Sequence, residues 1–196
     1  MFARTQKQQW LGILLLGMSV FVCSSCDRGI GPGEYLEPVH AAMLGKPAPD
    51  FELRRLDGQK VKLSSHRDKE IVILDMWATW CGPCVAELPL VAEVSAAYQS
   101  KGVVTYAVNQ GDEEKSVKEF VQSENVTLQV LLDTEGKAGN AYHAEAIPML
   151  VIVGKDGTVQ SIHLGYSPAL KGVLTRELDQ LIAGKNLAVA SQPAAK

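Results

Sequence analysis

The stretch Ile71-Val-Ile-Leu-Asp-Met-Trp-Ala-Thr-Trp-Cys-Gly-Pro-Cys84 decides the reading of this chain. Its opening run is apolar on both faces apart from one acid, as in a central strand covered by helices. A turn follows, then two cysteines separated by two residues at the mouth of a predicted helix. A helix start carries unpaired N–H groups and a partial positive charge, which favour a thiolate over a thiol. Pro83 suits the first helical turn, where its missing N–H has no intrahelical partner. Gly82 is expected to let the backbone turn tightly, so that the two sulfurs reach disulfide distance. The stretch reads as a redox dithiol, Cys81 and Cys84.

Working outward, the 196 residues, 46% hydrophobic with net charge −3, suit one globular domain with a segment at each end. The mild acidity and the lack of any basic cluster argue against nucleic acid as a partner. The four cysteines fall into two pairs, Cys23/Cys26 and Cys81/Cys84. The first pair lies in a targeting segment. Arg4 and Lys7 precede an uncharged apolar run from Trp10 to Val22, and Ser24-Ser25 lead into Cys26, the layout of a bacterial export signal. The small pair before Cys26 resembles a lipobox, with Cys23 standing where Leu is usual, so residues 1–26 read as an export signal of lipoprotein type, cut before Cys26, which is expected to be lipidated. The rival reading is an uncleaved anchor, since the uncharged run to Cys26 is at the lower limit for crossing a bilayer. Both readings put the remainder outside the cytoplasm and at the membrane.

Residues 27–45 mix Gly, Pro and charge without periodicity and read as a tether. A domain is expected over 46–184. It opens with a β-hairpin in which Phe51 and Leu53, then Val61 and Leu63, alternate with polar residues around Asp57-Gly58. The helix after Cys81 turns Leu88, Val91, Val94 and Tyr98 inward, with Pro89 expected to kink it. Val103–Val108 reads as a second buried strand, and Asp112 as the cap of a helix that buries Val117, Phe120 and Val121. A strand over 127–132, a weak helix over 134–143, a hairpin over 149–164 and a helix from Ser167 to Ala183 complete the domain. Residues 185–196 are expected to be disordered. The pattern gives an α/β fold, a mixed central sheet flanked by helices with an N-terminal β-hairpin extension.

The alternatives for the cysteine pair are weaker. Structural zinc takes four ligands, and His40, His66, His143 and His163 are scattered, so no metal and no cofactor is expected. A structural disulfide closing so short a loop would remove little chain entropy. Asp75 interrupts an apolar strand. Burying its charge is costly, so its proton affinity is expected to be raised. Glu87, three residues after Cys84, shares that helix face and is expected to be solvated.

Trp80-Cys-Gly-Pro-Cys84 matches the thioredoxin active-site motif. Together with Gly45-Lys-Pro-Ala-Pro-Asp-Phe51, the run from Trp77 to Pro89, Ile147-Pro148 and Asp156-Gly157, it resembles the TlpA/ResA branch of exported thiol–disulfide oxidoreductases over residues 45–184. The resemblance implies a thioredoxin-like fold, with Cys81 as attacking thiolate and Cys84 as resolving thiol. It also implies that Asp75 relays the resolving cysteine's proton and that Trp80 covers the pair. Pro148 would be cis against the sulfurs, with Ile147 presenting its backbone to substrate beside Gly82 and Pro83. Thioredoxins carry a lysine near the acid on the next strand, whereas Thr105-Tyr-Ala-Val108 has none.

The uncharged Gly-Pro between the cysteines favours the reducing end of the scale, where thioredoxin lies at about −270 mV and the oxidant DsbA at about −120 mV. The expected partners are therefore exported cysteine-containing proteins, such as apocytochrome c in cytochrome c biogenesis, and a membrane thiol-electron donor. Two other readings compete. A thiol peroxidase of the peroxiredoxin type shares Ala48-Pro-Asp-Phe51, but Leu74 and Ala78 stand where its Pro and Thr would be. A Sco-like copper carrier spaces its cysteines by three residues rather than two.

Overall fold

The computed structural model describes residues 36–190. Seven strands form one sheet in the order β2-β1-β5-β4-β3-β6-β7. These are β1 (Glu52–Arg55), β2 (Lys60–Lys62), β3 (Ile71–Trp77), β4 (Val103–Gln110), β5 (Gln129–Asp133), β6 (Met149–Val153) and β7 (Val159–Leu164). The strands β3, β4 and β5 are parallel, while β1, β6 and β7 run antiparallel to their neighbours. The expected hairpin extension is β1–β2, paired through Leu53 and Val61. As its apolar composition requires, β3 is buried along its whole length at the centre of the sheet.

Period-two alternation divides the core between the two faces. One face holds Ile71, Ile73 and Trp77 of β3 against α2 (Gly82–Tyr98), α3 (Glu114–Ser123) and α5 (Leu170–Ile182). The other holds Val72, Leu74 and Met76 against Phe51, Leu63 and α4 (Lys137–Ala141). Leu88, Val91, Val94 and Tyr98 of α2 are buried, and the helix runs on through Pro89. The crossovers β3-α2-β4 and β4-α3-β5 leave the strand ends and helix starts at one pole, where the dithiol lies.

Three expectations are corrected here. Residues 38–43, expected within the tether, form the short helix α1 (Pro38–Met43). Its His40 is 4% exposed and its Nε2 donates to the His143 carbonyl at 3.0 Å. Residues 187–190, expected within a disordered tail, form α6 (Leu187–Ala190), with Ala188 buried beside Gly45. Neither segment shows helical periodicity, because helices this short form only when docked. Asp112 does not cap α3. Glu113 is the N-cap residue and makes no side-chain cap bond, whereas Asp112 turns back to the loop before the cysteines. The targeting segment, including Cys23 and Cys26, lies outside the described residues. Among those described, no helix is long and apolar enough to cross a membrane.

Candidate active site

Cys81 is the N-cap of α2, and Cys84 lies one turn in. The two are joined as a disulfide with Cα atoms 5.2 Å apart. The backbone N–H of Cys84 donates to Cys81 Sγ at 3.2 Å, so the sulfur takes the capping place that a serine or aspartate oxygen fills elsewhere. That N–H and the helix dipole favour negative charge on this sulfur when the bond is opened. Cys81 is 5% exposed and Cys84 1%, so the first is the accessible one. Gly82 is the first residue of α2 and has ordinary helical geometry. A Cβ there would meet nothing within 4 Å, so the turn does not require glycine and the expectation of a tight glycine turn is corrected.

The sequence places Ile147-Pro148 far from the cysteines, and the fold brings them together. The Ile147–Pro148 peptide is cis, and the Ile147 carbonyl lies 3.7 Å from Cys81 Sγ. Trp80 projects into solvent at 72% exposed, an aromatic surface beside the pair rather than a lid closed over it.

Two buried carboxyls lie on the elements that lead into and out of the dithiol, Asp75 on β3 and Glu87 on α2. Asp75 sits on β3 on the face that carries Ile73 and Trp77, flanked in the sheet by Ala107 and Leu150, so only apolar residues pair with it on either side. It is 1% exposed, and burial pushes its carboxyl up to about 7. Glu87, expected on the surface, is also 1% exposed; burial first, and then the nearby Asp75 charge, push it up to about 8. Asp75 Oδ2 and Glu87 Oε2 are both buried without a hydrogen-bond partner among the described residues. Among the described residues no cation takes the place of the lysine missing from β4, and no positive group lowers either carboxyl. The signal for Glu87 was its spacing from Cys84, which puts it on the same helix face; what hid it was the assumption that a glutamate is solvated.

A disulfide-forming pair at a helix mouth, a cis proline against it and proton-holding acids behind it define a dithiol exchange site on a thioredoxin-like fold. The chain belongs to the AhpC/TSA family, whose model matches residues 44–162. It is 34% identical over 137 residues to the thiol-disulfide oxidoreductase ResA of Geobacillus kaustophilus, spanning 70% of this chain and 74% of that one. Identity to the ResA of Bacillus subtilis is 34% over 121 residues, 62% of this chain and 67% of that one. Among solved structures, a Chlorobium tepidum protein described as a candidate thiol:disulfide interchange protein DsbE superposes with a TM-score of 0.66 at 31% identity. That match covers 70% of this chain and 96% of the other. The protein is a thiol–disulfide oxidoreductase of ResA/DsbE type with a Cys81–Cys84 pair.

Among the described residues, no group of His, Cys, Asp and Glu is arranged to hold a metal ion. His163 is not near the pair: it bonds Ser161 and Glu177 between β7 and α5.

Proposed function

We propose that this protein works outside the cytoplasm, tied to the membrane through its N-terminal segment, and reduces disulfides of exported proteins. The observation that carries the reading is the capped sulfur of Cys81 together with two buried carboxyls, Asp75 and Glu87, whose proton affinities are raised to about 7 and about 8. The Cys81 thiolate attacks one sulfur of a substrate disulfide, and one substrate thiolate leaves. With one carboxyl of the Asp75/Glu87 pair ionised, as a group near 7 partly is at neutral pH, the Cys84 thiol gives that carboxylate its proton and attacks Cys81 Sγ, which releases the second substrate thiolate. The two substrate thiolates take up the proton that Cys84 gave up and one from solvent, so the substrate ends as a dithiol and the protein as a disulfide. Trp80, Gly82, Pro83 and the backbone of Ile147 at cis Pro148 form the surface that meets the substrate chain. A membrane thiol-electron donor restores the dithiol, and apocytochrome c is a substrate of the right chemistry.

The equilibrium constant with glutathione tests the direction. A potential near the thioredoxin end, about −270 mV, supports the reductase reading, and one near about −120 mV overturns it. Mass spectrometry of the membrane fraction tests the tether. A lipidated Cys26 at the N-terminus is expected, and an intact Met1 contradicts it. A peroxidase role finds no support at Ala78, a buried methyl where that chemistry uses a hydroxyl. Among the described residues, no ligand set supports a copper-carrier role.

A further inference from the structure

The loop between β3 and the dithiol is held from the side by a group that neither the cysteine motif nor the proton path uses. β3 and β4 run in parallel register up to the pair Trp77 and Asn109, where they diverge. From there β3 leads through Ala78, Thr79 and Trp80 to Cys81, while β4 leads through Gln110 and Gly111 to Asp112. Gly111 has φ 74°, a left-handed turn that returns the chain over the strand ends. Asp112 Oδ2 then accepts two hydrogen bonds, from the Thr79 backbone N–H at 2.8 Å and from Asn109 Nδ2 at 2.8 Å. Asn109 is itself 1% exposed, which fixes the second donor in the core.

We infer that Asp112, seated on Asn109, is a positioning residue for thiol exchange: it holds the Thr79–Cys81 turn so that Cys81 Sγ and Trp80 meet a substrate disulfide in one geometry. Other constraints on the turn include the Cys81 N–H to Ala78 carbonyl bond at 3.2 Å and the start of α2, besides the contacts of Cys81 Sγ itself with Cys84 and the Ile147 carbonyl. The first two lie on the cysteine's own side, and the contacts of Sγ act on the side chain rather than on the backbone of Thr79. The Thr79 N–H is the point at which the turn is bonded to another strand's loop, so without Asp112 the segment between Ala78 and Cys81 hinges on its ends. Aligning the attacking atom is worth large factors in rate, and a displacement of about 1 Å can cost on the order of a hundredfold. Since one oxygen accepts both bonds, the role needs an acceptor and not a charge. The inference concerns the exchange step itself and holds for either direction of electron flow.

The test compares Asp112→Ala and Asp112→Asn with wild type in the full chain. It reads amide exchange at Thr79 and Trp80, and single-turnover reduction of insulin as the protein disulfide. The alanine variant is expected to exchange the Thr79 amide at least about tenfold faster with β3 still protected, and to reduce insulin about tenfold more slowly. The asparagine variant keeps a carbonyl oxygen for both donors and is expected within about twofold of wild type in both readouts. Wild-type behaviour of the alanine variant overturns the inference. So does an asparagine variant as slow as alanine, because charge would then be the active property. Loss of protection along all of β3 also overturns it, because the role would then be general stability. Should the alanine variant fail to fold, Asn109→Ala removes one bond to the same oxygen. Faster Thr79 exchange in that variant supports the clamp and wild-type exchange contradicts it.

Discussion

Two buried polar clusters lie on the same face of the sheet, and they are built on opposite terms. In β7, His163 Nε2 bonds Glu177 Oε2 at 2.8 Å, and the Ser161 hydroxyl donates to Glu177 Oε1 at 2.9 Å. Two strands away in the same row, since His163 pairs with Leu150 and Leu150 with Asp75, the second cluster holds Asp75 and Glu87 with an orphaned oxygen on each. A bonded network compensates its own burial and ties the edge strand to α5. An unbonded carboxyl pair raises its own proton affinity instead, and costs stability where it ionises. The first cluster supports the fold; the second costs stability, in keeping with the role in proton transfer proposed for it.

The sharpest way to break this contrast is kinetic. Asp75→Asn is expected to slow resolution of the Cys81 mixed disulfide about 10- to 100-fold at neutral pH, and Glu87→Gln by a smaller factor, read by stopped-flow release of the second substrate thiol. Unchanged rates in both would make the pair incidental. The next effect is on stability against pH. Both carboxyls are raised in the folded state, to about 7 and about 8, so the folded protein holds protons that the unfolded chain gives up from about pH 4 upward. The oxidised protein should therefore lose stability as pH rises from about 4 to about 8, by at most about 1.4 kcal/mol per pH unit for each carboxyl. Urea titrations at a series of pH values read this, and a stability that climbs over that window would contradict it.

The bonded cluster should respond in the opposite way. Glu177→Ala leaves Ser161 and His163 without their common partner, so a loss of about 1–3 kcal/mol is expected in denaturant titration, with the exchange rate unchanged. A slowed rate with intact stability would move this cluster into the chemistry. The smallest effect belongs to Gly82→Ala. The added methyl meets nothing and the backbone is already helical, so stability should change by less than about 0.5 kcal/mol or rise slightly in a thermal scan.

What was legible in the sequence follows the same division. Cys81, Cys84 and Asp75 stand out because each breaks the pattern around it, and the all-buried β3 is announced by its composition. Ile147 and Pro148 are reachable only through likeness to a known motif, since nothing local marks a dipeptide whose first residue meets a cysteine 66 residues away. Glu87 was misread because a single glutamate beside Leu88 and Pro89 looks like the edge of an amphipathic stripe. Only the packing of α2 over β3 shows that this edge is covered. Asp112 has the composition of a helix cap, and its true partners lie in another strand's loop. The helices α1 and α6 are too short for periodicity to register.

The central claim is that the buried carboxyls take the proton that Cys84 gives up when it closes the disulfide. The pH profile of mixed-disulfide resolution, measured from pH 5 to about 9 in single turnovers, tests it most directly. An inflection between about 7 and 8 in the wild type that disappears in the Asp75→Asn, Glu87→Gln double variant is the result this account requires. Superimposable profiles for the two proteins would contradict it.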